Sequence, residues 1–326
     1  MAHSQKIKSI FNKVNHSLDR LIPLTTPLSI VIGILLASVF IHFRPYVPWL
    51  FGIMTFSGAL KLRAAEFGET IRHPFPILLF FVSSHLLMPA AAMLVSSIVF
   101  DNQDIIAGFV LLFAGPTAVS GFIWVSIFKG DKALCLTLIL LDTILAPLVV
   151  PGTVSILMGA KTTMDMSGIA VSLLFMVVVP TIIGVILNEA SRQRLPVIVS
   201  PYLDPTAKIC LMLVIAANAA AVAPSVRLDD PLIWKAALIV ILLTIAGFAV
   251  IKLVSVIGKC RAERGITMIV SGGLRNNSAV MTIAVTFFPE AAVLPTLLSI
   301  VFQQTIAAVM GKLFVKSEER KEKTGE

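Results

Sequence analysis

Residues 271–285 read SGGLRNNSAVMTIAV, with the apolar run Met268-Ile269-Val270 before them and Phe287 and Phe288 just beyond. A glycine pair, an arginine and two asparagines thus stand in the middle of a stretch long and apolar enough to cross a bilayer. The surrounding chain makes lipid its solvent: of 326 residues 57% are hydrophobic and 13% charged, with a mean hydropathy of +0.95. A soluble chain would carry roughly 25% charge. Gly272-Gly273 at mid-membrane frees backbone groups that lipid cannot satisfy, so such an interruption survives only where it faces protein or a wet cavity. A second interruption of the same kind, Ala114-Gly115-Pro116-Thr117, lies 157 residues earlier, measured from Gly115 to Gly272.

Working outward from these two interruptions, apolar stretches bounded by charge, Pro or Gly predict ten spans. They fall at 22–42, 46–62, 75–99, 104–128, 133–158, 166–188, 206–225, 231–256, 265–287 and 291–315. The starts of the fifth and tenth are 158 residues apart, nearly the offset of the two interruptions. This predicts two five-helix repeats, 22–158 and 159–316, inverted because five is odd, with spans four and nine as the same broken element. Residues 1–21 are expected to be a basic N-terminal tail and 317–326 a charged C-terminal one. The first span is not expected to be a cleaved signal, since its apolar core is long and no Ala-x-Ala site follows it.

The net charge of +8 is distributed by topology. With both ends cytoplasmic, 19 Lys and Arg fall on the inner face, from Lys6 and Lys8 through Lys129, Lys132 and Arg261 to Lys323. Four fall outside, Arg44, Lys161, Arg227 and Lys235, and three within spans. That asymmetry predicts a multi-pass protein of the cell (inner) membrane with cytoplasmic termini, and it removes the need for a nucleic-acid partner. Cys135, Cys210 and Cys260 form no CxxC pair. No HExxH, GxSxG, GxGxxG or Walker loop is present, and one membrane carboxylate is too few for an aspartyl protease. An enzyme is not expected.

Charges deep in spans are few. Asp142 in ILLDTILAP is the one central acid and Arg275 the comparably central base, whereas Lys208 and Lys252 lie near span ends and can snorkel. Each central charge costs about 2.5–3.5 kcal/mol on insertion scales and therefore needs a partner or a task. Arg275 serves as counter-charge for an anion, as a fixed cation, or as a structural partner of Asp142. Asp142 is a candidate proton carrier, with His85 and Ser84 beside the Pro89 kink as further coupling candidates; His85 can equally be a satisfied packing residue. Asn276 and Asn277 either cap freed backbone or touch ligand. The substrate path is expected to run past Pro116, Thr117, Ser120, Gly121, Asp142, Ser271, Gly272, Gly273, Arg275, Asn276 and Asn277.

The ten-span layout, HPFPILL and LLMPA in span three, the span-four break running into Phe128-Lys129-Gly130-Asp131, and SGGLRNNSAVMTIAV together resemble the bile acid:sodium symporter superfamily, which includes arsenite efflux permeases. The resemblance covers nearly the whole chain. It implies an all-α polytopic fold in which spans three to five and eight to ten form a core with crossed broken helices, and spans one, two, six and seven form a panel. It also implies sodium, whose family positions fall here on Ser84, Gly121, Phe122, Cys135, Ile139, Ser271 and Arg275. Most of these residues differ from the sodium ligands of the bile-acid branch. The arsenite branch is similar in Phe122, Trp124 and Asn276-Asn277, but its Cys and Glu positions are Thr117 and Ala279 here. No metal ligand set and no cofactor is expected apart from that ion. The expectation is a secondary transporter of a small organic anion, cation-coupled, by sodium on the family pattern or by a proton through Asp142. Metalloid efflux and a ligand sensor that moves nothing are the alternatives. The partners expected are an anionic small molecule and the lipid bilayer; the pattern carries no signal for oligomeric state.

Overall fold

The structure is a computed structural model and describes residues 15, 24–62, 74–159, 165–225, 227 and 229–324. Apart from Asn15, the basic tail at 1–21 lies outside these residues, as do Arg63, Arg72 and Lys161. The described chain is helical, and its one β feature is an isolated bridge. We number the helices α1 Leu24–Leu35, α2 Ala37–Ala59, α3 Pro74–Val99, α4 Gln103–Ala114, α5 Gly121–Ile127, α6 Lys132–Met158, α7 Met166–Ala190, α8 Arg194–Val222, α9 Pro231–Ile257, α10 Ala262–Gly273, α11 Asn277–Phe287 and α12 Leu294–Thr324.

Six of the described elements are long and apolar enough to cross a bilayer: α3, α6, α7, α8, α9 and the stretch Glu290–Phe314, which carries most of α12. The chain is a polytopic membrane protein. α1 and α2 form a bent pair at 93°. The sequence places the first boundary at Arg44-Pro45, but the bend falls at Leu36, which leaves helical geometry (φ −109°, ψ 39°), while Pro45 sits in a 3-10 stretch. α8 starts well before 206, with Pro201 and Pro205 inside it. α12 runs on to Thr324, past the expected start of the tail at 317, in keeping with the helix-forming Lys and Glu of Lys316–Thr324.

The chain divides into two compact units, Met1–Ala64 with Val171–Val226 and Ala65–Ala170 with Arg227–Glu326. The smaller unit contains α1, α2, α8 and the greater part of α7. Its helices approach closely where glycine removes the side chain: a Cβ at Gly33 would meet the Ala216 carbonyl oxygen at 2.4 Å, and one at Gly184 would meet the Ala59 Cβ at 2.9 Å. Asp204 on α8 accepts from Ser57 (3.1 Å) and Lys61 (2.7 Å).

The larger unit holds α3–α6 and α9–α12, and capping fixes where its helices start. Asn102, Asp131, Asp230 and Asn276 each accept backbone N–H bonds at the first turn of α4, α6, α9 and α11. The Phe128–Asp131 turn ties the start of α6 to α10. Thr267 Oγ1 donates to the Asp131 carbonyl, the Asp131 N–H donates to Glu263, and a Cβ at Gly130 would sit 2.7 Å from Thr267 Oγ1.

Both expected interruptions are present, one of them shifted. α4 ends at Ala114 and α5 begins at Gly121; α10 ends at Gly273 and α11 begins at Asn277. Gly272 and Gly273 are therefore still helical, and the second break is Leu274–Asn276. The glycines serve packing instead: a Cβ at Gly273 would lie 2.4 Å from the Phe248 ring, and one at Gly272 would lie 2.7 Å from Ile251, both on α9.

Candidate functional site

The two breaks cross inside the larger unit, and Thr117 and Arg275 form the isolated antiparallel bridge. The Ala118 N–H donates to the Leu274 carbonyl (3.1 Å) and the Asn276 N–H to the Pro116 carbonyl (2.7 Å). This exchange follows from the breaks themselves. Leaving the helix frees Ala118 N–H from the Ala114 carbonyl and Asn276 N–H from the Gly272 carbonyl, and a buried donor left alone costs about 1–3 kcal/mol. Thr117 N–H, freed in the same way, donates to Asp142 Oδ2 on α6 (2.7 Å), and Thr117 Oγ1 donates to the Ser271 carbonyl (3.2 Å). Gln303 of α12 clamps Arg275 from the other side. Its Oε1 accepts the Arg275 N–H (3.0 Å) and its Nε2 donates to the Arg275 carbonyl (2.9 Å).

Three ionisable side chains meet here, all buried: His85 at 5%, Asp142 at 0% and Arg275 at 3% exposure. The Arg275 guanidinium donates to the carbonyls of Gly115 (3.3 Å) and Ser84 (3.0 Å). Hydrogen bonds to a charged group are worth about 1.5–3 kcal/mol each, enough for the pair to offset the insertion cost of the charge. Among the described residues Arg275 and Asp142 form no ion pair within 4 Å, so the direct lock between helices is not the arrangement adopted.

His85 lies in a π-helical turn, Ser83–Leu87, that ends two residues before Pro89. Its Nδ1 lies 3.2 Å from the Ala114 carbonyl, another acceptor orphaned by the break, and its Nε2 lies 2.8 Å from Asp142 Oδ1. The second contact is at ion-pair distance. A carbonyl only accepts, so the Nδ1 contact fixes a proton on Nδ1. Nε2 and Oδ1 then face each other as two acceptors unless one further proton is held between them. The His85 ring stacks on Phe81 at 5.6 Å, and the His85 carbonyl accepts from Thr153.

The crossing thus gathers Ser84, His85, Pro116, Thr117, Asp142, Ser271, Arg275 and Asn276. Other expected residues lie beside it. Asn276 caps Ala279 N–H (3.3 Å), while Asn277 Nδ2 donates to Ser299 on α12 (2.9 Å). Ser120 is half-buried at the start of α5, and Gly121 abuts Leu274. Gln303, which sequence reasoning missed, had a legible signal: Gln303-Gln304 is a polar pair inside an apolar span, and Gln304 in turn accepts from Trp124 Nε1 (2.9 Å).

Membrane-crossing helices and a crossing of two broken helices that buries fixed charge define a polytopic membrane protein. Residues 47–227 match the Sodium Bile acid symporter family. A Bacillus subtilis relative called "Uncharacterized protein YbaS" is 36% identical over 297 residues, 91% of this chain and 97% of its own length. The chain belongs to the Sodium Bile acid symporter family, which is a transporter family and not an enzyme family. Two further relatives carry functional names. The B. subtilis "Uncharacterized sodium-dependent transporter YocS" is 25% identical over 187 residues, 57% of this chain and 58% of its own. The rice "Probable sodium/metabolite cotransporter BASS3, chloroplastic" is 26% identical over 272 residues, 82% of this chain and 63% of its own.

Sodium, named for those relatives, finds a poor donor set at the corresponding positions here. Gly121, Phe122 and Ile139 bring no side-chain oxygen, and the Cys135 thiol accepts from Ser271 Oγ (3.7 Å). The Ser271 carbonyl is taken by Thr117, and the Ser84 and Gly115 carbonyls by Arg275. Among the described residues no group of three or more His, Cys, Asp or Glu comes together as a metal site. The residues present do not fit a sodium ion at this crossing.

Proposed function

We propose that this chain is a secondary active transporter of a small organic anion, carboxylate in type, working by alternating access at the crossing of its two broken helices. In this reading the ten sequence spans form two inverted five-helix repeats, with α4–α5 and α10–α11 as equivalent elements and both termini on the cytoplasmic face of the cell membrane. The observation that carries it is a buried positive charge, Arg275, seated where two helix breaks pair at the centre of the larger unit. Fixed positive charge and the N-terminal end of α11 favour an anion there. The sodium/metabolite names of the relatives support a small-molecule substrate with a coupling ion.

Coupling is to a cation. Sodium is the ion named for the relatives, and the carrier that this chain's own residues provide is the single proton held between His85 Nε2 and Asp142 Oδ1. Loading that proton leaves the crossing net positive with Arg275, matching a monoanion; unloading it removes the match. Uptake of radiolabelled carboxylates into proteoliposomes, driven in turn by an imposed proton gradient and an imposed sodium gradient, tests this. Accumulation driven by the proton gradient, lost in Asp142→Asn, is the expected result. Uptake indifferent to both gradients would sink coupled transport, and failure of every carboxylate would sink the substrate class.

A further inference from the structure

We propose that Arg275 is a tethered counter-cation: its guanidinium permanently fills the carbonyl-lined spot at the crossing, so this spot takes no free alkali ion. The inference starts from the backbone. In the π turn of α3 the Met88 N–H bonds to the Ser83 carbonyl, and the next residue, Pro89, has no N–H to give. The Ser84 carbonyl is therefore left without an intrahelical donor. The Gly115 carbonyl is freed by the break that Pro116 opens: residues 116–120 are not helical, so no N–H four residues on returns to it. Two prolines on two helices thus aim two bare carbonyls at one buried point.

In broken-helix transporters such carbonyls coordinate a sodium ion or a proton. Here they accept from the two terminal nitrogens of one guanidinium, at 3.3 and 3.0 Å. The arginine is held by its own backbone, which Gln303 clamps through both N–H and C=O. The planar fork reaches both acceptors at once and stays charged across the physiological range. Of the other charges on helices packed around it, Asp104, Lys132, Lys235, Lys252, Glu263 and Arg264 lie toward helix ends and Lys312 lies toward the end of the apolar part of α12, while Asp142 is engaged by Thr117 and His85. A covalently tethered cation supplies charge to the crossing but cannot be carried across, so a sodium gradient does no work at this spot. The inference does not depend on the substrate being an anion.

The test uses the purified full chain in detergent and no substrate, so its failure is distinct from failure of the anion reading. Thermal unfolding is compared in sodium chloride and in choline chloride of equal ionic strength. The wild type is expected to unfold at the same temperature in both. Arg275→Ala is expected to unfold lower in choline and to recover about 3 °C or more in sodium or in methylguanidinium. Arg275→Lys, which keeps a tethered charge, is expected to be destabilised yet indifferent to sodium. A wild type that loses stability in choline, an Arg275→Ala protein indifferent to both added cations, or an Arg275→Lys protein stabilised by sodium would each overturn the proposal. Should Arg275→Ala not fold, the wild-type and Arg275→Lys arms decide it alone.

Discussion

The two helix breaks at the crossing solve one physical problem with opposite chemistry. The first, residues 115–120 between α4 and α5, is driven by Pro116 and leaves an excess of bare carbonyls, at Ala114 and Gly115. The second, Leu274–Asn276 between α10 and α11, contains no proline and keeps its N–H groups. Accordingly, the first break is served mainly by donors that come from elsewhere, His85 and Arg275, while its Thr117 N–H goes to Asp142. The second is served by Gln303, which both accepts and donates. The break that lacks donors recruits cationic and imidazole groups, and the break with both donors and acceptors is content with a neutral amide. Charge in the membrane collects around the proline break for this reason.

The strongest way to break the comparison is Asp142→Ala. It strands the Thr117 N–H and leaves His85 and Arg275 without a negative neighbour, which is expected to cost about 3–5 kcal/mol of stability, as for a broken buried pair. Denaturant unfolding in detergent reads it; a loss below about 1 kcal/mol would mean the carboxylate does not hold the first break. Gly273→Ala comes next. Its Cβ would press into the buried Phe248 ring at 2.4 Å, with an expected loss of about 2–3 kcal/mol. Suppression by Phe248→Leu in a double-mutant cycle would check that packing, not backbone freedom, requires the glycine.

Gln303→Leu sharpens the neutral side of the comparison. The Arg275 carbonyl still receives the Asn277 N–H (2.9 Å), so chiefly one donor is orphaned, and about 1–2 kcal/mol is expected. The same unfolding assay should therefore rank it below Asp142→Ala. The smallest effect belongs to the smaller unit. Lys61, half exposed, pairs with Asp204, and Lys61→Ala should change stability by no more than about 0.5 kcal/mol and leave transport rates as they are.

Much of the larger unit's architecture was legible as hydrophobic stretches punctuated by Gly and Pro, because lipid forces backbone bonds to close within each helix and makes every exception conspicuous. Asp142 and Arg275 were legible for the same reason, as charges with a solvation cost to justify. Other details were not. Gly272-Gly273 marked the neighbourhood of a break but not its position, since a glycine needed for close packing against Phe248 and Ile251 looks the same in sequence as one needed for a turn. The bend at Leu36 carries neither Gly nor Pro. Gln303 makes its bonds to residues far away in the chain, and local pattern holds no information about such partners.

From its sequence alone this protein was determined to be a membrane chain, with two interrupted spans and two central charges of opposite sign, because apolar length and the cost of buried charge are local properties. Only the tertiary structure decided what those charges do. Three-dimensional proximity set Arg275 against the Ser84 and Gly115 carbonyls instead of against Asp142, and set His85 between Ala114 and that carboxylate. Hydrogen bonding reaches only about 3 Å, so which orphaned backbone group meets which side chain depends on how the helices cross.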